Sequence, residues 1–121
     1  ACDFVVVTVP LSDETRGMFG AREFALMRDT AVFVNVSRGA VVREDDLVAA
    51  LRAGRPWAAG LDVFAREPIG ADHPLLALPT CVCVPHIGSA SIATRTRMAT
   101  LAAENLVAYL TTGRALTPVN N

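Results

Sequence analysis

The chain has 121 residues, of which 52% are hydrophobic and 19% are charged, and its formal net charge is −1. This composition suits one well-buried domain or part of one, and a nearly neutral chain lacks the basic surface typical of nucleic-acid binding. Its apolar stretches are far shorter than the roughly 20 residues that span a bilayer, and all 11 basic residues are arginines, which excludes Schiff-base chemistry through lysine.

Short apolar runs alternate with helical patterns along the chain. Runs typical of buried strands occupy residues 4–9, 31–36, 57–62 and 81–84. Because crossovers that contain helices join parallel strands, this order predicts an α/β fold. We expect part of a doubly wound, Rossmann-like parallel sheet, followed by a long C-terminal helix.

The predicted helices differ in how clearly their ends are marked. The first lies near residues 22–27, and the second begins at the acidic segment 44–46 and ends at Gly54. The last covers about residues 91–110 and ends before Gly113. The segment 65–79 is rich in proline and glycine, so we expect a loop there with a turn at Leu75 and Leu76.

Three polar residues of complementary types follow the last three predicted strands. Arg38 follows the second strand, Glu67 the third and His86 the fourth, while Asp62 stands at the end of the third. The carboxyl ends of parallel strands form the edge where open α/β sheets place their active sites. We therefore expect a cation, a carboxylate and an imidazole to share one edge.

These three side chains suit the reduction of a carbonyl group. His86 is the candidate acid, because an imidazole carries a proton on and off near neutral pH. Glu67 would stabilise the imidazolium and fix which ring nitrogen faces the substrate. The guanidinium of Arg38 could bind a substrate carboxylate with two parallel hydrogen bonds and polarise the adjacent carbonyl. A nicotinamide cofactor would supply the hydride, which no side chain can provide.

Each of these residues also has a purely structural interpretation. Arg38 alone could tether a loop, Glu67 could be a solvated loop carboxylate, and His86 could cap the turn that follows Pro85. Asp62 could cap a helix or turn instead of contacting a cofactor. The three complementary types at consecutive strand ends favour the functional interpretation of the set.

The three cysteines show no metal-ligand spacing. Cys81 and Cys83 alternate along one predicted strand, so they face the same side and are expected to be small buried hydrophobic residues. An odd number of cysteines, Cys2 included, fits a reducing, cytoplasmic compartment better than a disulfide scaffold. No metal site is predicted.

Four stretches resemble the NAD-binding part of the D-isomer-specific 2-hydroxyacid dehydrogenase family. They are VPLSDETRGMFG at 9–20, AVFVNVSRGAVVREDDLVAAL at 31–51, AAGLDVFAREP at 58–68 and VPHIGSAS at 84–91. The resemblance implies that Arg38 binds substrate, that Glu67 pairs with His86 and that His86 is the general acid/base. It further implies that Pro10, Val36, Asp62 and Gly88 contact NAD(P)H, and that the substrate site comprises Arg38, His86, Ile87, Gly88 and Ser89.

Within that family, HIGSAS followed by the segment 94–98 is most similar to the glyoxylate and hydroxypyruvate reductases. The pair Glu67 and His86 argues against the formate dehydrogenases of the family, in which a glutamine is expected in place of the carboxylate. The resemblance therefore implies an enzyme that reduces a small 2-oxo acid to the D-2-hydroxy acid with NADH or NADPH. It also implies a homodimer.

The glycine-rich G-x-G-x-x-G turn of dinucleotide-binding domains does not occur in the 121 residues. We therefore expect residues 1–121 to be the C-terminal portion of a dinucleotide-binding domain, without the separate substrate domain, and to be inactive by themselves. Two alternatives stay open at this point. One is a binding module that senses NAD(H) without turnover, as corepressors similar to this family do, and the other is a truncated, nonfunctional gene product.

Overall fold

Four parallel strands form a single sheet in the order β1-β2-β3-β4 in the computed structural model, which describes residues 2–119. The strands are β1 (Phe4–Val7), β2 (Val32–Asn35), β3 (Ala58–Leu61) and β4 (Cys81–Cys83). Each strand pairs in parallel with the next one along the chain. This sheet confirms the predicted α/β, Rossmann-like fold; residues 1, 120 and 121 of the predicted domain lie outside the described residues.

The strands are shorter than the predicted apolar runs. β2, for example, ends at Asn35 rather than at Val36. The Asn35 side chain explains this end, because its Oδ1 accepts a hydrogen bond from the backbone N–H of Ser37 and turns the chain away from the ladder. The polar positions that follow β2 therefore belong to a loop at the carboxyl edge of the sheet.

Two helices cover one face of the sheet. Helix α1 (Ala21–Ala25) contributes the fully buried Phe24, whose ring meets that of Phe33 edge-on with centroids 5.2 Å apart. Helix α2 (Glu44–Arg52) buries Leu47, Val48 and Leu51 in the same core. Its acidic first turn complements the helix dipole, and Gly54, at φ +75°, follows its end as predicted.

Two short 3₁₀ segments lie in the connections. Gly39–Val41 follows the loop that carries Arg38, and Pro74–Ala77 lies within the proline-rich segment, where the sequence predicts a turn at Leu75 and Leu76. Leu75 is fully buried. The second segment therefore anchors the long connection between β3 and β4 in the core.

The described chain divides into two compact units after Gly88, and the second unit consists of helix α3 (Ile92–Thr112) with the short segments before and after it. Ser91 caps the helix, since its Oγ accepts a hydrogen bond from the N–H of Thr94, and Gly113 ends it at φ +73°. The helix is two residues longer at its C-terminus than the predicted 91–110, because the backbone stays helical up to Gly113. Over residues 2–119, no helix combines the length and the apolarity needed to cross a membrane.

Candidate active site

A carboxylate and an imidazole meet at the carboxyl edge of the sheet. Oε2 of Glu67 lies 2.9 Å from Nδ1 of His86, and Oε1 of Glu67 accepts a hydrogen bond of 2.9 Å from the N–H of Phe64. The hydrogen bond from His86 and then the Phe64 N–H lower the pKa of Glu67 below its usual value of 4.5. Glu67 is therefore an anion that both its own loop and the histidine hold in place.

The backbone of His86 adopts a conformation that is rare for residues other than glycine. Its φ is +52°, in the left-handed region, directly after Pro85. The N–H of His86 donates to the carbonyl of Val84 over 3.1 Å, which closes a tight turn just past β4. The turn directs Nδ1 toward Glu67, and within residues 2–119 the Nε2 atom makes no hydrogen bond. Since 47% of the side chain is exposed, a ligand can reach the imidazole ring.

A buried asparagine shapes the loop that carries Arg38. Asn35 is 1% exposed, and its Oδ1 accepts hydrogen bonds from the N–H and the hydroxyl of Ser37, while its Nδ2 donates to the carbonyl of Arg38. The exposed Arg38 side chain donates from Nη1 to the carbonyl of Ser37 over 2.7 Å. The loop is therefore fixed from inside the core, and its guanidinium lies at the surface.

Arg38 shares an electrostatic environment with Glu67 but does not touch it. Its positive charge contributes to lowering the pKa of Glu67. Within the described residues, however, the guanidinium makes no hydrogen bond to Glu67 or His86. The structure thus brings Glu67 and His86 into contact and places Arg38 near Glu67 with its head group on the Ser37 carbonyl.

An open cavity of about 380 Å³ adjoins the carboxylate–imidazole pair. Its lining is mostly apolar and comprises Phe64, Glu67, Pro68, Ile69, Leu76, Cys83, Val84, Pro85 and His86. Arg38 is outside this lining. A small ligand in this cavity would contact mostly apolar side chains, together with the polar side chains of Glu67 and His86.

Asp62 holds the segment that follows His86. It is 5% exposed, and its two carboxylate oxygens accept hydrogen bonds from the N–H groups of Ile87, over 2.6 Å, and Gly88, over 2.8 Å. A Cβ atom at position 88 would lie 3.1 Å from Oδ2 of Asp62, so glycine suits this close approach. Asp62 therefore caps a turn, and its predicted contact with a cofactor stays a prediction.

The remaining predicted site residues are exposed. Pro10 lies beyond β1, and its carbonyl accepts a hydrogen bond from the Thr15 hydroxyl. Val36 is 47% exposed directly after β2, and Ile87 is 46% exposed. Ser89 is the first residue of the second unit and is also exposed. All four are exposed, and their predicted contacts with cofactor and substrate stay predictions.

Three residues that support the site were not predicted to do so. They are Asn35, Glu44, whose Oε1 accepts a hydrogen bond from the N–H of Ala65, and His73, whose Nε2 lies 3.5 Å from Oε2 of Glu44. Asn35 gives a signal in the sequence, since a polar side chain in the apolar run VFVNV needs a buried partner. Glu44 and His73 give none, because their contacts join segments that are distant in sequence.

The two strand cysteines lie on the same side of β4, with their sulfur atoms 3.7 Å apart. Both are partly buried, and burial raises the pKa of Cys81 to about 12 and also raises that of Cys83. These thiols are therefore protonated at neutral pH and are poor nucleophiles.

The sequence family follows from a match that covers most of the chain. Residues 1–88 match the model of the D-isomer specific 2-hydroxyacid dehydrogenase, NAD binding domain. The chain belongs to this family. The match confirms the resemblance predicted from the four sequence stretches, and it includes every predicted site residue of this 2-hydroxyacid dehydrogenase domain except Ser89.

Individual relatives agree with this family. Glyoxylate/hydroxypyruvate reductase B from Escherichia fergusonii is 53% identical over 108 residues, which are 89% of this chain and 33% of that protein. The NADPH-dependent glyoxylate/hydroxypyruvate reductase from Sinorhizobium meliloti, solved with NADP and malonate, is 41% identical with a TM-score of 0.89, over 97% of this chain and 36% of the other. D-lactate dehydrogenase from Lactobacillus jensenii, solved with NAD+, is 28% identical with a TM-score of 0.87, over 98% of this chain and 40% of the other. The chain thus spans about a third of the length of the curated relatives it matches.

Proposed function

We propose that the protein to which this chain belongs reduces glyoxylate, hydroxypyruvate or a similar small 2-oxo acid to the D-2-hydroxy acid with NAD(P)H. The single observation that carries this proposal is the contact of 2.9 Å between Glu67 and His86 at the carboxyl edge of the sheet. The names of the Escherichia and Sinorhizobium relatives point to the same substrates. A protonatable group with an anionic orienting partner suits the reduction of a carbonyl group, whose oxygen must gain a proton.

His86 acts as the general acid in this proposal. Its Nδ1 faces Glu67, so Nε2 faces the substrate and donates a proton to the carbonyl oxygen as that oxygen gains negative charge. Glu67 stabilises the imidazolium and keeps the ring in one orientation. The guanidinium of Arg38 leaves the Ser37 carbonyl and binds the substrate carboxylate, which places the ketone next to His86.

The exposed carboxyl edge fits the nicotinamide end of a dinucleotide. Val36 offers an exposed apolar surface there, and Gly88 lies on the exposed turn that Asp62 caps. Pro10, Val36, Asp62 and Gly88 would hold this end, and the bound cofactor would supply the hydride that completes the reduction. The relatives were solved with NADP in one case and with NAD+ in another, so both cofactors need testing.

The chain then serves as the C-terminal portion of a dinucleotide-binding domain in a longer enzyme. The length of the relatives and the missing glycine-rich turn support this assignment. The 121 residues alone should be inactive, and measurable reduction of hydroxypyruvate by them would contradict this. We further propose a homodimeric enzyme and, since all three cysteines are free thiols, a cytoplasmic location.

An assay of the complete protein tests the proposal. Oxidation of NADH and of NADPH is followed with glyoxylate, hydroxypyruvate and pyruvate as substrates. The products of hydroxypyruvate and pyruvate are identified as the D-hydroxy acids, and that of glyoxylate as the achiral glycolate. Replacing His86 by Ala should lower kcat by about 10²- to 10⁴-fold, whereas Arg52→Ala, on the exposed end of α2, should leave it unchanged. Tight dinucleotide binding without turnover of any 2-oxo acid would instead favour a sensing module.

A further inference from the structure

Two successive peptide groups, Val63–Phe64 and Phe64–Ala65, support the loop that carries Glu67. The N–H of Phe64 donates to Glu67, and the next N–H, that of Ala65, donates to Oε1 of Glu44 over 2.6 Å. A Cβ atom at Gly39 would overlap the Phe64 carbonyl, so the backbone at Gly39 packs directly against the Phe64–Ala65 peptide. Glu44 and the Gly39 backbone therefore fix this peptide, and the peptide before it holds Glu67.

Glu44 belongs to a second carboxylate–imidazole pair. Its Oε2 lies 3.5 Å from Nε2 of His73, and the two side chains are only 19% and 21% exposed. Nδ1 of His73 accepts a hydrogen bond from the N–H of Leu75, so in the neutral ring the proton is on Nε2 and faces Glu44. The ring of Phe64 packs against the ring of His73, with centroids 6.0 Å apart.

We propose that Glu44 and His73 are positioning residues for the Glu67–His86 pair, an inference that rests on the proposed reductase function. Neither residue lines the cavity beside this pair, so we assign to neither a contact with substrate. His73 orients Glu44, Glu44 holds the N–H of Ala65, and the adjoining N–H of Phe64 holds Glu67. Glu67 in turn fixes Nδ1 of His86.

Loss of Glu44 can displace Glu67 because one hydrogen bond ties Glu67 to its own loop, the bond from the Phe64 N–H to Oε1. Without Glu44, the N–H of Ala65 loses its acceptor and turns toward water. The Phe64–Ala65 peptide and the Val63–Phe64 peptide share Cα of Phe64, so this turn also shifts the N–H of Phe64. Glu67 then follows the N–H of Phe64 away from His86 or gives up that hydrogen bond. Displacements of about 1 Å at a catalytic group can lower the rate by up to about a hundred-fold.

Helix α2 provides a matched control for the effect of charge alone. Glu44 and Asp45 both stand in its acidic first turn, but the exposed Asp45 makes no side-chain hydrogen bond within residues 2–119. Asp45→Asn removes one charge from the helix N-terminus without touching the loop. Glu44→Gln keeps an oxygen that can accept from Ala65, and His73→Gln keeps a donor that can face Glu44.

The experiment has two measurements. The first is turnover by the complete enzyme, and the second is which ring nitrogen of His86 carries the proton in this chain, which contains only two histidines. We expect Glu44→Ala to lower kcat by about ten- to a hundred-fold with KM changed less than about two-fold. We expect Glu44→Gln and His73→Gln to retain most of the turnover, and Asp45→Asn to behave as wild type.

Nitrogen-15 chemical shifts of the neutral imidazole report which ring nitrogen carries the proton. Wild-type His86 should be protonated on Nδ1, and Glu44→Ala should shift the population toward Nε2.

The possible results distinguish a positioning role of Glu44 from a failure of the variant to fold and from a failure of the proposed reductase function. Wild-type tautomer populations in Glu44→Ala, or an equal shift in Asp45→Asn, would overturn the positioning role. If Glu44→Ala does not fold, the same populations are measured in His73→Ala, where a wild-type result would also overturn it. A wild-type enzyme that reduces no 2-oxo acid would overturn the proposed function alone, because the tautomer of His86 is measured without turnover.

Discussion

The buried carboxylate of Asp62 holds the backbone of Gly88, whose N–H donates to Oδ2 over 2.8 Å. Oδ1 accepts from the N–H of Ile87, so both oxygens serve the segment that follows His86. Asp62 stands at the end of β3 and His86 beyond the end of β4. The contact therefore ties together the two strand ends that carry the site.

Asp62→Asn tests the importance of this contact. One carboxylate oxygen would become an NH₂ group facing a backbone donor, so one hydrogen bond is lost and one partly buried backbone N–H loses its acceptor. We expect the free energy of unfolding to fall by about 1–3 kcal/mol, measured by urea denaturation. Asp29→Asn, at an exposed aspartate without a side-chain hydrogen bond in the described part of the chain, is the control. Equal stability of the two variants would contradict the capping role.

Gly39→Ala tests how closely the Arg38 loop packs on the Glu67 loop. The added Cβ would overlap the carbonyl of Phe64 and the nitrogen of Ala65, which are backbone atoms that cannot move aside cheaply. We expect destabilisation of about 1–3 kcal/mol or more, measured by thermal unfolding. At Gly60, in β3, the nearest atom to an added Cβ is 3.9 Å away on Val34, so Gly60→Ala should cost much less. A similar loss of stability in both variants would argue against the close approach at Gly39.

The local sequence was sufficient to predict the parallel sheet and the edge where the polar residues lie. Arg38 and His86 follow short apolar runs that alternate with helical patterns along the chain. Few folds other than a parallel α/β sheet fit that alternation. The residues at which the strands end were less predictable, because hydrogen bonds of individual side chains determine where each strand stops. Asn35 ends β2 through a hydrogen bond to Ser37 that no periodicity indicates.

Contacts between distant segments could not be predicted from the sequence. The hydrogen bond from Ala65 to Glu44 joins residues 21 positions apart, and that from Gly88 to Asp62 joins residues 26 positions apart. From the sequence, Glu44 is expected only to stabilise the dipole of its helix. The folded structure shows that it also accepts a hydrogen bond from the N–H of Ala65. Asp62 was open to two interpretations for the same reason, since the donors that it binds lie beyond the next strand.

Arg38→Lys tests the role of the guanidinium in the complete enzyme. An ammonium group carries the same charge, but it cannot form two parallel hydrogen bonds with a carboxylate. We therefore expect KM for hydroxypyruvate to rise more than kcat falls, measured by steady-state kinetics. Arg66→Lys is the matched control, because Arg66 is exposed and makes no side-chain hydrogen bond within residues 2–119. An unchanged KM in Arg38→Lys would show that Arg38 does not bind the substrate.

Glu67→Gln tests the carboxylate–imidazole pair through its pH dependence. The pKa of Glu67 is lowered from 4.5, chiefly by the hydrogen bond from His86. A carboxyl group with a lower pKa in the folded state stabilises the fold above its unfolded pKa, and that contribution is lost as the pH falls through the folded pKa. The urea midpoint of wild type should therefore exceed that of Glu67→Gln near pH 6, and the difference should shrink below about pH 4. In the enzyme, Glu67→Gln should lower kcat, because an amide does not fix the orientation of the His86 ring as the carboxylate does. Glu14→Gln, which changes an exposed glutamate without a side-chain hydrogen bond in the described residues, should alter neither the urea midpoint nor kcat. A difference in urea midpoint that stays constant from pH 3 to pH 7 would show that the charge of Glu67 does not hold His86.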